Sequence, residues 1–300
     1  RKARWGIYLS KIRKMIEKIK RMLHRGALFV LHGVPRITIE AKILQVHTSE
    51  LLKSHVVLIT GGSSGIGKAI AKACLESGAK VIITGRNKEK LSSSVSKLRE
   101  ISTAVYALPL DNNDVKNMKD AIIEAEKLAG AKLTTLINNA GIALGSLDHL
   151  EEKEFEMVLD TNIKGTVFLS KYFSEYLRQN NIKGNILNMV SSSGFRPAVS
   201  AYEISKWGLR GFTAGLAKKL IPFGIVVNGI APGPTATPML KRSEDNNLVH
   251  PTNPSGRYTT PEEVASLAVY LISDMARQIV GDVVCMTGGA GTLTYDDIKY

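Results

Sequence analysis

The feature that most constrains this chain is a series of short, almost wholly apolar runs that begins near residue 54. Stretches with helical periodicity, such as GKAIAKACLESG (67–78), separate these runs. Strands covered on both faces carry such continuous Val, Ile and Leu runs, and helices connect parallel strands. The pattern predicts an α/β fold: a single Rossmann-type, doubly wound parallel sheet of about seven strands with helices on both faces. The runs are HVVLIT (55–60), KVIIT (80–84), TAVYALPL (103–110), LTTLINNA (133–140), GNILNMVSS (184–192), IVVNGIAPG (225–233) and DVVCMTGG (282–289).

The positive charge of the chain is concentrated in its N-terminal part. Residues 1–25 contain ten Lys or Arg and one acid, so they carry +9 of the net charge of +13. Apolar residues recur there at helical spacing: Ile12, Met15, Ile16, Ile19, Met22 and Leu23. We predict a basic amphipathic N-terminal extension over 1–50 and a dinucleotide-binding domain over 51–300. The nearly balanced charge of the main domain gives no reason to expect nucleic-acid binding there.

Three hypotheses compete for the extension. Its basic face and apolar stripe suit peripheral contact with an anionic membrane surface. The stripe is equally suited to docking on this domain or on a second subunit, and nucleic-acid contact is the third option. Residues 35–46 are predicted to add a strand or a strap.

Compartment signals are few. The apolar run ALFVLHGV (27–34) is too short to span a bilayer, and no secretory signal is evident. Two cysteines outside any C-x-x-C pair, Cys74 and Cys285, indicate a reducing compartment. We expect a cytoplasmic protein, with peripheral contact at the inner membrane surface as an option. Because the chain opens on Arg1, what preceded it stays open.

A glycine-rich turn, TGGSSGIG (60–67), follows the first predicted strand and opens the first helix. Glycines let the backbone turn tightly and approach a pyrophosphate, whose charge then lies at the helix N-terminus. The spacing is G-x-x-x-G-x-G, and its position in a βαβ unit predicts a dinucleotide site. The expected cofactor contacts in this turn are Gly61, Ser63, Ser64, Gly65, Ile66 and Gly67.

Cofactor selectivity should depend on the end of the second strand. NAD sites place an acid there, whereas this chain has Thr84 in that place and Arg86 two residues later. A guanidinium binds the 2′-phosphate of NADP through paired hydrogen bonds. Because the glycine turn contains serines and no basic residue, NADP is favoured and NAD remains the alternative.

A tyrosine and a lysine lie four residues apart, at Tyr202 and Lys206, in a stretch with helical character. This spacing puts them on one helix face, one turn apart. A nearby ammonium favours the phenolate, which should lower the pKa of Tyr202 toward the working range. The pair is therefore the predicted proton donor and its electrostatic partner.

The ordered motifs resemble the short-chain dehydrogenase/reductase family, in its compact and not its extended branch. The resemblance covers about residues 54–292 and rests on TGGSSGIG, PLDNND (109–114), INNAG (137–141), LDTNIKGTVF (159–168), the Tyr202/Lys206 pair, APGPTATPM (231–239), SGRYTTPEEVA (255–265) and VGDVVCMTGG (280–289). An extended-branch epimerase would need a different glycine spacing and a larger C-terminal domain.

The resemblance implies further roles. Asp111 should meet the adenine, and the turn Asn138-Asn139-Ala140-Gly141 should support the central strand and the cofactor ribose. Lys206 should also bind the nicotinamide ribose beside Tyr202, and Asn162 should hold a water that relays protons to Lys206. The nicotinamide end should be lined by Pro232, Gly233 and Thr237. No metal is expected.

The catalytic serine is ambiguous because Ser191, Ser192 and Ser193 are consecutive. The family pattern N-x-S-S-x-x-G, aligned on Asn188 and Gly194, assigns the role to Ser191. The segment from Ser191 to Tyr202 is about two residues shorter than is usual in the family, so Ser192 remains an alternative.

The function expected is an NAD(P)-dependent oxidoreductase that transfers a hydride between nicotinamide and a carbonyl or alcohol substrate. The alternative is a non-catalytic NAD(P)-binding regulatory or sensor protein on the same fold. Residues 236–256 are predicted to form a mobile substrate lid, but their composition identifies no substrate. Family members commonly form homodimers or homotetramers, and the same is expected here.

Overall fold

The computed structural model describes residues 15–20, 22–23, 50–144, 147–237, 239 and 248–295. By its internal contacts the chain divides into two units, Arg1–Gln45 and Val46–Tyr300. In the first unit, residues 15–20 and 22–23 are helical. The rest of the predicted basic helix and residues 35–46 lie outside the described residues. Among the helices that the structure describes, none is long and apolar enough to cross a membrane.

The second unit is built on one seven-stranded sheet in which every neighbouring pair of strands is parallel. The spatial order is β3-β2-β1-β4-β5-β6-β7, so the direction of winding reverses between β1 and β4. The predicted sheet is thereby confirmed, and each apolar run contains one strand. The strands are β1 (Val56–Ile59), β2 (Lys80–Gly85), β3 (Val105–Pro109), β4 (Thr135–Asn138), β5 (Asn185–Met189), β6 (Val226–Pro232) and β7 (Val283–Met286).

Seven α-helices cover the two faces of this sheet in the described part of the second unit. They are α1 (Gly65–Glu76), α2 (Lys88–Leu98), α3 (Met118–Ala129), α4 (Glu152–Leu159), α5 (Gly165–Gln179), α6 (Ala201–Leu220) and α7 (Pro261–Ile272). Helices α1, α2 and α7 pack on one face, and α3, α5 and α6 on the other. Alternate residues of one strand, such as Val57 and Leu58, belong to opposite cores, as strand geometry requires.

A buried row of polar side chains ties two helices to the centre of the sheet. The Asn138 amide donates to Ser170 Oγ on α5 (2.8 Å) and to Asn188 Oδ1 on β5 (2.9 Å). Asn188 in turn donates to Thr213 Oγ1 on α6 (2.9 Å). Because buried polar groups are costly without partners, these bonds hold α5 and α6 in one position relative to β4 and β5.

Candidate active site

The glycine turn lies between β1 and α1 and is held from the next strand in space. Gly61 and Gly65 adopt φ of +64° and +51°, a region that disfavours side chains. The Asn139 amide donates to the carbonyls of Thr60 (2.9 Å) and Gly61 (3.1 Å). Gly67 packs so closely here that an added Cβ would lie 2.5 Å from the Gly61 carbonyl oxygen.

The N-terminus of α1 suits an anion. Its N-cap residue, Ser64, makes no side-chain capping bond, and the first turn contains no acid. The amides at this end are therefore available to a negatively charged group, which the helix dipole also favours. This arrangement fits the pyrophosphate of a dinucleotide.

The residues that follow β2 bring two basic side chains, Arg86 and Lys90, into the cavity that the glycine turn also lines. Arg86, Asn87 and Lys90 all line it. Asn87 caps α2 by accepting from the Lys90 backbone N–H (2.8 Å), and Ser94 Oγ on α2 donates to the Ser63 carbonyl (2.8 Å). The glycine turn and the basic loop are thus tied together.

Tyr202 lies on the second residue of α6, whose start is closed by a capping box. Ser200 Oγ accepts from the Glu203 N–H (3.3 Å), and the Glu203 carboxylate accepts from the Ser200 N–H (2.9 Å). Such reciprocal capping determines where the helix begins. The phenol is therefore presented at a defined position in the first turn.

Burial governs the protonation of the predicted pair, Tyr202 and Lys206. Lys206 is 5% exposed, its Nζ donates to the Met189 carbonyl (2.8 Å), and burial lowers its pKa to about 8. Burial raises the pKa of Tyr202, while its hydrogen bond with Ser191 acts in the opposite direction. The predicted lowering of the Tyr202 pKa is wrong for this structure, because desolvation of the phenolate outweighs the favourable bond. Tyr202 is therefore held as the neutral phenol.

Of the three consecutive serines, Ser191 is the one whose side chain acts on Tyr202, where it lowers the pKa of the phenol against the effect of burial. Its Oγ also accepts from the Ser193 N–H (3.1 Å), which orients the hydroxyl. Ser192 and Ser193 line the same cavity. The contact with Tyr202 favours Ser191 over Ser192.

Asn162 lies in a π-helical turn, Asp160–Lys164, between α4 and α5. Its Oδ1 accepts from the Ile142 N–H (2.9 Å), and its Nδ2 donates to the Ile142 carbonyl and to Ser205 Oγ (both 3.0 Å). A Cβ added at Gly141 would lie 3.3 Å from Asn162 Oδ1 and 3.7 Å from Lys206 Nζ. Gly141 therefore leaves a narrow space between Asn162 and Lys206.

One cavity of about 920 Å³ unites most of the predicted site residues. The structure does not bring three of them into its lining: Gly67 packs beneath the turn, and Asn138 and Asn162 direct their amides into the protein interior. The predicted residues in the lining are Gly61, Ser63, Ser64, Gly65, Ile66, Arg86, Asp111, Ala140, Gly141, Ser191, Ser192, Tyr202, Lys206, Pro232, Gly233 and Thr237.

Sequence reasoning missed several lining residues. Lys90 carries a usable signal, because it falls in the first turn of the helix that begins just after Arg86. Asn112 stands next to Asp111, which the motifs did indicate, and the two neighbours differ only in the direction of their side chains. Met239 and His250 fall inside the predicted lid, but no local pattern distinguishes them from the rest of it, and Tyr258 carries no local signal.

The described part of the predicted lid is tied down by hydrogen bonds. His250 N–H donates to the Gly256 carbonyl (2.9 Å), and Tyr258 N–H to that of Leu248 (2.8 Å). Asn253 Nδ2 donates to the Thr287 carbonyl (3.2 Å). Residues 238 and 240–247 of the predicted lid lie outside the described residues.

Comparison with known proteins identifies the family. Residues 55–248 match the family model described as short chain dehydrogenase. The chain belongs to the short-chain dehydrogenase/reductase family. It is thereby an NAD(P)-binding oxidoreductase with a Rossmann fold, acting on C=O or CH–OH groups.

Individual relatives agree with this assignment. The 3-oxoacyl-[acyl-carrier-protein] reductase of Thermotoga maritima is 33% identical over 244 residues, which cover 79% of this chain and 98% of that protein. A variant of actinorhodin polyketide ketoreductase, solved with NADPH, is 27% identical with a TM-score of 0.72 and coverage of 80% and 98%. The 3-ketoacyl-(acyl-carrier-protein) reductase of Brucella melitensis, solved with NADH, is 29% identical with a TM-score of 0.73 and coverage of 79% and 98%.

The pKa of Lys206 yields a prediction about charge. Since burial disfavours its ammonium, Lys206 should lose its proton near pH 8, below the ordinary lysine range. NMR of protein labelled at lysine Cε should show one resonance titrating near pH 8, and Lys206→Met should remove that resonance. Exposed Lys88→Met serves as the control and should leave it in place. A Lys206 resonance unchanged up to pH 10 would contradict the assignment.

Proposed function

We propose that this protein is an NADP-preferring dehydrogenase/reductase whose Ser191, Tyr202, Lys206 and Asn162 act on a carbonyl or alcohol substrate. The observation that carries the proposal is that one cavity contains both parts of the site. The glycine turn and the uncapped N-terminus of α1 lie at one end, and Ser191 and Tyr202 lie at the other. A cofactor bound along it would have its pyrophosphate at α1 and its nicotinamide ring near Tyr202.

The bound cofactor supplies or accepts the hydride through nicotinamide C4. Ser191 Oγ and Tyr202 Oη orient the substrate oxygen and meet the negative charge that develops there during reduction. The phenol, kept protonated by burial, then gives its proton to that oxygen. The Lys206 ammonium stabilises the resulting phenolate and then passes it a proton. Asn162 lies beside the path by which water would replace the proton that Lys206 has given up.

Loss of the proton donor should abolish turnover while cofactor binding survives. NADPH oxidation would be followed with a panel of ketones for wild type, Tyr202→Phe, Ser191→Ala and Ser192→Ala. We expect a drop in kcat of roughly 10²–10⁴-fold for Tyr202→Phe. Ser191→Ala should lower kcat far more than Ser192→Ala.

Two outcomes would contradict this assignment. Equal activity of wild type and Tyr202→Phe would refute the proton donor. A chain that binds NADPH but reduces no carbonyl would indicate the sensor function instead.

The preference for NADP is proposed from two basic side chains at the ribose end. Arg86, just after β2, and Lys90, in the first turn of α2, both line the cavity, and no acid occupies the end of β2. Both charges can reach a 2′-phosphate.

Removing these charges should shift the cofactor preference. In Arg86→Leu/Lys90→Leu, we expect KM for NADPH to rise roughly tenfold or more, as for a lost charge-assisted hydrogen bond, with KM for NADH little changed. Lys88→Leu removes an equally exposed charge that is not in the lining and should leave both constants unchanged. Parallel increases in both KM values would argue against 2′-phosphate recognition.

We further propose that the N-terminal basic helix contacts anionic lipid. The apolar residues Met15, Ile16, Ile19, Met22 and Leu23 are 45–70% exposed in the described residues, and residues 1–25 carry +9. Each Lys or Arg near an anionic surface contributes about 1 kcal/mol, and the apolar stripe adds to this by burial.

Vesicle co-sedimentation tests this contact. The full chain should sediment with vesicles containing phosphatidylserine but not with neutral phosphatidylcholine vesicles, and high salt should weaken the interaction. Deletion of residues 1–25 should abolish it. Undiminished sedimentation after the deletion would refute the proposal.

The expected homodimer or homotetramer stays a prediction that light scattering would decide.

A further inference from the structure

The π-helical turn that carries Asn162 depends on a side chain from a distant loop. In an α-helix the Gly165 N–H would donate to the carbonyl four residues back, that of Thr161. Here it donates to Asp160, five residues back. The Thr161 carbonyl has therefore lost the donor that a regular helix would provide.

Asn112 takes the place of that donor. Its Nδ2 donates to the Thr161 carbonyl oxygen at 2.7 Å, and the residue is 7% exposed. Gly165 leaves the space that this approach requires, since an added Cβ would lie within 2.5 Å of Asn112 Nδ2. Asn112 directly follows Asp111 and lines the cavity at its predicted adenine end.

We propose that Asn112 is the positioning residue for Asn162, and that it links the adenine end of the cavity to the catalytic end. This inference rests on the proposed function for its catalytic consequence. A side-chain donor on the Thr161 carbonyl stabilises the extra residue of the π turn relative to a regular helix. Without it, a return to pairing four residues back would turn Asn162 by about 100° relative to α5 and withdraw its amide from Ile142 and Ser205.

The kinetic test uses Asn112→Val, which keeps the volume and removes the donor. We expect kcat to fall roughly tenfold to a hundredfold, the size seen for a misplaced catalytic group, while KM for NADPH changes little. The double variant Asn112→Val/Asn162→Ala should be no slower than Asn162→Ala. Asn112 is proposed to act only by positioning the Asn162 side chain, and Asn162→Ala already removes that side chain. A raised KM for NADPH with unchanged kcat, or additive losses, would overturn the proposal.

A conservative variant separates positioning from packing. Asn112→Asp has the same shape, but an ionised carboxylate cannot donate to a carbonyl, whereas the protonated acid can. Its kcat relative to wild type should therefore recover as the pH falls. Asn180→Asp makes the same change to an amide that donates to the Tyr176 carbonyl at the far end of α5, and its ratio to wild type should stay flat.

The other titratable groups on the loop of Asn112 and on the π turn are the same in wild type, in Asn112→Asp and in the control variant. They are Asp111 and Asp114 on the loop, and Asp160 and Lys164 on the π turn. A ratio for Asn112→Asp that is as flat as that of Asn180→Asp would overturn the proposal.

Hydrogen exchange gives a readout that does not require a known substrate. Amides 160–166 should exchange faster in Asn112→Val than in wild type, and those of α7 should be unaffected. Unchanged exchange at 160–166 refutes the dependence of the π turn on Asn112. Faster exchange in a protein that reduces no carbonyl would retain this dependence while the proposed function fails.

Discussion

In a parallel sheet the carboxyl ends of all strands lie along one edge, and the cavity of this protein depends on that constraint. The glycine turn follows β1, Arg86 follows β2, Asp111 follows β3 and Ser191 follows β5, so residues from distant parts of the chain meet there. The winding reverses between β1 and β4, which leaves the crevice in which α/β proteins bind ligands. The Asn139 amide spans this crevice and holds the glycine turn.

The low polarity of the interior then sets the chemistry of the catalytic end. Burial destabilises both the Lys206 ammonium and the Tyr202 phenolate, so Lys206 becomes a weaker base than a free lysine and Tyr202 stays a neutral acid. In the proposed mechanism, the protonated phenol is the form that can give a proton to the substrate oxygen. The Met189 carbonyl accepts a hydrogen bond from Lys206 Nζ and holds that group in place.

Sequence patterns were informative where chemistry is local. Strand runs, the glycine turn and the four-residue spacing of Tyr202 and Lys206 are each contained within one element, and the structure bears out the strands and the sheet. Patterns were less informative where two adjacent residues differ only in the direction in which their side chains point. Side chains of consecutive strand residues point to opposite sides of the sheet. Asn138 therefore enters the core, whereas its neighbour Asn139 reaches the glycine turn.

The sequence by itself determined the α/β class, the order of the apolar runs that become strands, and the family, because periodicity and short motifs lie within neighbouring residues. Only the tertiary structure decided which serine meets Tyr202, in which direction burial moves the pKa of Tyr202, and that Lys90 joins Arg86 in the cavity lining. It also decided that a π turn presents Asn162 and that Asn112, fifty residues earlier in the chain, supplies its missing donor. Those properties depend on contacts and desolvation between segments far apart in sequence, which no local pattern encodes.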